Sequence, residues 1–586
     1  MKKALLISAL MFAAFLAMVY SPTTMPEFTV EFKTPSAKPI DLKSAKLLDD
    51  AIAIGLEGIS ADENVAAGLY EVAYSLESLE PDPEQIKAIE SALGVRVSVD
   101  LRSRTAFGRN NVWTAGLQRL TSQNPILRRY LQRHQRVLDQ LSSIVNRKHF
   151  ANAYYSPDQG SDQSLVKALI PLASTCREHV RTLGIRTRVA LAEDRIGDAI
   201  IDVNTIHQLG HHLMRDGGTR VEVFVGTAIA IAATEHWCEL LSHPELSLNE
   251  LAEISKLVNS APLISGVKAL DVFDRLTVLQ LAENMERFGA IGAKRVLGTG
   301  SWHHAEDALL PTIGMAFTDW LDIYNEVNRH FDAHVEVLTI SDDEDRRNAI
   351  TALDNSFDDL FKLVEDQPNQ QSLANRAVWG FIDELFFDSA ATALWALESA
   401  RQRNEALKLC IALKRFHFDQ NRYPASLEEL EGKYLDKIPV DYRTGKAMGY
   451  SPLKSGALVY TTGKNGEDNQ GWGYRNLSNT YRSPYDDETY LIGQDDRTPP
   501  GSMKKIVRQI SGRTVTGFDP YDWNRERLSL AGEHVSLSEF TKICSIEELT
   551  WLDLSLSDLP DKWYHLLPKL KNLEVLSLVG EELTEE

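Results

Sequence analysis

Only four cysteines occur in 586 residues: Cys176, Cys238, Cys410 and Cys544. None stands in a C-x-x-C pair, so zinc-finger spacing is absent, and the density is too low for a disulfide-rich scaffold. Each sits among apolar, helix-patterned neighbours, which favours a buried thiol. Basic charge is scarce as well. Against 83 Asp and Glu there are 62 Lys and Arg, a formal net charge of −21. A surface of that sign excludes nucleic acid as a partner and excludes a polybasic dock on anionic lipid. Its plain consequence is solubility. No G-x-S-x-G elbow, phosphate-binding loop or dinucleotide fingerprint is found, so the commonest nucleophile and nucleotide chemistries have no starting point. Long apolar runs are missing from all but the first residues of the chain.

That one run covers residues 4–20 and follows Lys2 and Lys3. Its length lies between a signal-peptide core and a short membrane span. No small-x-small cleavage site follows, Pro22 adjoins the best cut at Ser21, and no lipobox cysteine exists. Two readings stay open. One is an uncleaved transmembrane anchor with the lysines inside, and the other is a cleaved signal peptide. Both place the bulk of the chain in the cell envelope beyond the cytoplasmic membrane, anchored or secreted. Membrane contact is expected through this segment alone.

At this length several domains are expected. After the segment 1–20, Pro22, Pro26, Pro35 and Pro39 mark a linker over 21–45. Residues 46–400 read as a helical body. Leu165, Leu169, Leu172, Cys176, Val180 and Leu183 step by three and four, as do Ala199, Val203, Ile206, Gly210 and Leu213. Breaks are predicted at Asp216-Gly217-Gly218 and at 342–345. The fold class is therefore multidomain and mainly α, with a helical-hairpin or solenoid-like body. The stretches IRTRVALAEDRIGDAIIDVNTIHQLGHHL and FVGTAIAIAATE resemble a group of uncharacterised exported proteins of planctomycete-type bacteria. That resemblance implies a helical fold and export, and no activity.

Composition changes at Arg422. A helix carrying Ala406, Leu409, Cys410, Leu413 and Phe416 runs into Asn421-Arg422-Tyr423-Pro424, where Pro424 must end it. Ser426 and Glu429 have capping-box spacing for a short new helix. Leu458, Val459 and Tyr460 predict a strand, and Asn465-Gly466 a turn. Residues 401–495 in this order resemble the C-terminal α+β domain of the type II secretion major pseudopilin. The resemblance implies a small antiparallel sheet and an acidic loop able to hold calcium. Asn465, Asp468, Asn469, Asp486 and Asp487 are its candidate oxygen ligands. No cofactor is expected apart from a structural calcium ion in this loop. The pilin processing motif is absent before residue 4, so assembly into a fibre is not expected.

A further linker is expected over 496–522, and then a numerical signal begins. Leu528 and Leu530 recur as Leu552 and Leu554 and again as Leu576 and Leu578, each step being 24 residues. Val535, Leu559 and Leu583 keep the same step. This pattern over 523–586 resembles about three leucine-rich repeats, an α/β solenoid in which L-x-L points inward from a short strand. Glu533, Ser557 and Glu581 stand where the family carries asparagine, and Arg525 stands where a leucine is usual. The positions between the leucines should face outward. Trp551, Asp553, Val575, Ser577 and Val579 are the candidate contacts for a protein partner.

One constellation could carry chemistry. His207 and His211 are four apart on a helix, the spacing of two zinc ligands, with Glu235 as a candidate third. Gln208 stands where a zinc protease has glutamate, and an amide cannot take a proton from metal-bound water. His303, His304 and Glu306 form a second cluster. The sequence thus favours a non-enzymatic envelope protein that binds or scaffolds an unknown protein partner. An exported zinc hydrolase using His207 and His211 is the alternative.

Overall fold

The computed structural model describes residues 47–73, 125–154, 170–261, 264–288, 318–353, 373–463, 466–471 and 487–493. It also describes shorter pieces at 29–30, 40–41, 165, 168, 506–510, 513–517, 526–529, 537–545, 549–554, 560–573 and 575–577. The apolar segment 4–20 lies outside these residues. Among the described residues the chain is mainly helical, with a small three-stranded antiparallel sheet, and no helix is long and apolar enough to cross a membrane.

The helices begin with α1 (Leu47–Leu56), α2 (Val65–Ala73), α3 (Pro125–Ile144), α4 (Pro171–Ala192), α5 (Ile196–Asp216), α6 (Arg220–Leu241) and α7 (Leu248–Asn259). Pro171 opens α4, where its missing N–H costs nothing. This cuts the stripe expected from Leu165 onward. Leu172, Cys176, Val180 and Leu183 share one core, whereas Leu165 precedes the proline and joins another. α5 stops at Asp216, before Gly217-Gly218. Thr219 then caps α6: its hydroxyl accepts from the Glu222 N–H, and the Glu222 carboxylate accepts from the Thr219 N–H.

α5 and α6 meet backbone to backbone. A Cβ on Gly226 would lie 2.9 Å from the Gly210 carbonyl oxygen, and one on Gly210 would lie 3.1 Å from that of Gly226. Only two glycines allow this approach. α6 is apolar around much of its circumference and serves three cores. Val223 and Ala230 join one, Val225, Ile229 and Ala233 a second, and Trp237, Cys238, Leu240 and Leu241 a third.

A π-helical turn, Ala269–Asp274, leads directly into α8 (Arg275–Phe288), followed by α9 (Trp320–Thr339) and the 48-residue α10 (Leu373–Gln420). Such a helix is about 72 Å long. Leu394 and Leu397 of α10 share a core with α8 and α9, while Leu409, Cys410 and Leu413 share one with Trp237. α10 passes unbroken through residue 400, where a domain boundary was expected. Asn421, at φ 52°, turns the chain out of it before Tyr423-Pro424.

The short helix after the corner is a 3-10 turn, Leu427–Leu430, and Ser426 makes no side-chain cap. Glu429 instead accepts from the Ala425 N–H and pairs with Arg422. Three antiparallel strands follow: β1 (Gly449–Leu453), β2 (Gly456–Thr461) and β3 (Glu488–Gly493), with β2 central. Ala457, Val459, Tyr490 and Ile492 join the Trp237 core. The sheet therefore closes over the same apolar cluster as α6, α7 and α10.

Residues 496–522, expected as a linker, include an antiparallel pair, β4 (Ile506–Ile510) and β5 (Arg513–Gly517). Their Ile, Val and Thr residues flank Ser511-Gly512, a composition that suits a hairpin. The C-terminal residues form a parallel sheet of β6 (Glu526–Ser529), β7 (Leu549–Asp553) and β8 (Val575–Ser577), with β7 in the middle. α11 (Leu537–Ile543) follows β6, and a 3-10 stretch, Asp561–Lys569, follows β7.

Candidate functional site

The 24-residue step becomes register in the parallel sheet. Leu528, Leu552 and Leu576 form one row across the three strands. Arg527, Trp551 and Val575 form the row before it, and Ser529, Asp553 and Ser577 the row after. Leu552 is fully buried, with Phe540, Ile543, Cys544, Leu549, Leu554, Leu566 and Leu570 around it. Leu576, on the edge strand, is 37% exposed. Four of the five expected partner-contact residues thus stand side by side on adjacent strands, and Val579 lies outside the described residues.

The acidic loop is only partly described, because Asn465 and Asp486 lie outside it. Asp487, immediately before β3, is buried, and its Oδ2 accepts from the Gly471 N–H at 2.8 Å. Asp468 is exposed and accepts from the Gln470 N–H at 2.7 Å. Asn469 is half-buried. The carboxylate that organises this end of the sheet is another one, Asp441. Its Oδ2 accepts from the Thr462 N–H at 2.9 Å and from the Thr462 hydroxyl at 2.7 Å, and its Oδ1 accepts from the Arg443 N–H.

His207 and His211 lie on one face of α5, their rings 4.4 Å apart and both buried. The Trp237 indole donates to His207 Nδ1 at 3.4 Å, which leaves the buried Nε2 without a hydrogen-bond partner. Burial, reinforced by the His211 imidazole, holds His207 well below its ordinary pKa, so it is neutral. Glu235 stands on the exposed side of α6. Among the described residues no group of three or more His, Cys, Asp or Glu side chains is placed to hold a metal ion. His303, His304 and Glu306 lie outside those residues. A cavity of about 20 Å³ lined by Asn152, Tyr154, Asp216 and Lys268 has room for about one water.

A second histidine pair escaped the sequence reading, although its signal was the same. His330 and His334 on α9 are four apart, buried, with rings 4.2 Å from each other. They belong to a buried polar layer around the π-turn. Arg275 donates to Asp271 at 2.6 Å and to Asp332 at 3.0 Å, and its guanidinium stands 5.7 Å from the Phe331 ring centroid. Arg220 pairs with Asp274 at 2.5 Å. Burial nevertheless pushes Asp274 up to about 7, and burial holds His334 down at about 4. Such layers specify one packing arrangement more than they add stability. Nothing in the sequence pattern announces the π-turn itself.

A third set of polar contacts joins the helices to the small sheet. Arg403 pairs with Glu488 at 2.7 Å, and the Gly493 N–H donates to the Ser242 hydroxyl at 2.8 Å. Close by, Glu239 accepts from Arg188 and contacts His236 Nδ1 at 3.0 Å. Burial opposes its charge, but His236 and Arg188 together outweigh it and hold the carboxyl down at about 2.

Compared with protein-family models, with curated proteins and with solved structures, the chain matches none of them.

Proposed function

We propose that this chain is a non-enzymatic binding or scaffold protein of the cell envelope whose C-terminal sheet presents the partner-contact surface. The observation that carries this reading is the register of that sheet. A leucine row with Leu552 buried at its centre is flanked by the Arg527–Trp551–Val575 and Ser529–Asp553–Ser577 rows. In a leucine-rich array the flanking rows form the open face, and an aromatic residue on such a face is a common interface anchor. The long helix, the Tyr423-Pro424 corner and the β1–β2–β3 sheet support a pseudopilin-like module as the support of that array. The residues 4–20 would hold the assembly at the membrane or direct its export.

The test is site-specific photocrosslinking in the native cell, with the photoreactive residue at 553 or 577 and Trp551→Ala as control. One discrete adduct that Trp551→Ala abolishes, while the sheet stays folded, supports the proposal. The reading fails if no adduct forms and Trp551→Ala instead unfolds the C-terminal sheet. The tryptophan would then be an internal packing residue.

A further inference from the structure

The polar layer around the π-turn sits inside an apolar core. α9 enters that core through Ile323, Val327 and Phe331, which share it with Leu276 and Leu279 of α8. Two imidazoles of α9 lie within the same layer. His334 has no exposed surface and His330 is 7% exposed, and their ring centroids are 4.2 Å apart. His334 Nδ1 stands 2.8 Å from the His330 carbonyl oxygen, which can only accept, so Nδ1 carries the hydrogen. Nε2 is then the nitrogen that would take a second proton. Among the described residues the charged groups of this region already have opposite charges beside them. Arg220 of α6 pairs with Asp274 of the π-turn, and Arg275 of α8 pairs with Asp271 and with Asp332 of α9. Glu283 of α8 pairs with Arg287, and Glu286 accepts from the Tyr324 hydroxyl. On α10, Glu398 is held by Arg346. A proton on either imidazole would therefore add a further cation to a layer closed to water, against a second ring of the same kind.

From this arrangement we infer that His330 and His334 form an acid-sensitive latch between α9 and the π-turn with α8, closed while both rings are neutral and opened by their protonation. Burial opposes charge on both rings, the neighbouring imidazole adds to this at His330, and Arg220 adds to it at His334. A histidine whose folded pKa is depressed adds stability above its unfolded pKa, here 6.5, and loses it as pH falls below that value. Asp274, pushed up to about 7, works in the opposite direction and offsets part of the loss. Two imidazoles outweigh one carboxyl, so the layer weakens as acid is added. π-turns are rare and recur at functional sites, and this one supplies two of the three aspartates of the layer. Release of α9 would bare the apolar face that carries Ile323, Val327 and Phe331.

The test is hydrogen exchange of the full chain in detergent at pH 6.5 and pH 5, corrected for the intrinsic effect of pH on exchange. This window lies above the range in which Glu239 loses its contribution. Opening of α9 should rise roughly tenfold between the two values. α5 and α7, which lie outside the layer, should change little. In the double variant His330→Gln/His334→Gln the rise should vanish, because Asp274 alone is left to titrate and acts the other way. The inference is overturned if α9 keeps its protection at pH 5, if α5 and α7 loosen to the same extent, or if the double variant shows the same rise. The wild-type profile, compared between α9 and the other two helices, decides the matter even if the double variant does not fold.

Discussion

The two sheets of this protein are stabilised in opposite ways. Among the described residues the antiparallel sheet β1–β2–β3 forms no separate core. Ala457, Val459, Tyr490 and Ile492 pack into the cluster built by Trp237 of α6 and Leu409 of α10, and Gly493 is tied to Ser242. The parallel sheet β6–β7–β8 has a separate cluster drawn from its own strands and the short helices after them. Among the described residues the first sheet is thus a face of the helical body, and the second has a cluster of its own. A change in the shared cluster should be felt by helices and sheet together, whereas a change beneath the parallel sheet should stay local.

The largest effect is expected from Trp237→Ala. Trp237 is fully buried where helices and antiparallel sheet meet. Its truncation should cost about 3–5 kcal/mol. Urea unfolding followed by circular dichroism, with hydrogen exchange on β2, should show both parts losing stability in one transition. Protection of β2 that survives while the helices loosen would break the comparison.

Leu552→Ala should cost about 2–5 kcal/mol, confined to the C-terminal unit. Hydrogen exchange in α5 and α6 should not change. Faster exchange there would show that the parallel sheet leans on the body after all.

Acid should separate the two units as well. Glu239 has a folded-state pKa of about 2, below its ordinary value of 4.5. A depressed carboxyl adds stability above its unfolded pKa and loses it as pH falls through the folded one. The stability of the body should therefore drop between about pH 5 and pH 2. In Glu239→Gln that drop should be smaller by about 2 kcal/mol. Thermal unfolding of both proteins at pH 6 and pH 3 measures the difference, and equal slopes would show that the Arg188–Glu239–His236 contacts contribute nothing.

The smallest effect is expected from Leu576→Ala. It occupies the same row as Leu552 but is 37% exposed on the edge strand. Its cost should be under about 1 kcal/mol, because less apolar surface leaves the core. A cost equal to that of Leu552→Ala would mean that the edge strand is covered in solution.

Local rules made much of this architecture legible in the sequence. Gly217-Gly218 and Pro424 end helices for backbone reasons that hold in any surroundings, and Leu458 to Tyr460 is a strand as its composition suggests. The step of 24 between Leu528, Leu552 and Leu576 is also the register of the parallel strands, because residues that repeat in sequence stack when the backbone path repeats. The candidate site was legible to the same extent, as rows of residues. The His330/His334 pair shows in the sequence by the same four-residue spacing as His207/His211.

What remained was decided by long-range contact. A hydrophobic stripe does not say which element will cover it, so the merging of the small sheet with α6 and α10 follows only from their packing. Burial and His211 hold His207 below its ordinary pKa, and its Nδ1 accepts from Trp237, 30 residues further along the chain. The stacked layer of Asp271, Arg275 and Asp332 spans 61 residues between its ends. Cys238 and Cys410 are far apart in sequence, and only the packing of α6 against α10 puts both in one core. Periodicity and breakers act over a few residues and can be read from the chain. Burial and pKa depend on which distant surfaces exclude water together, and only the tertiary structure decides that.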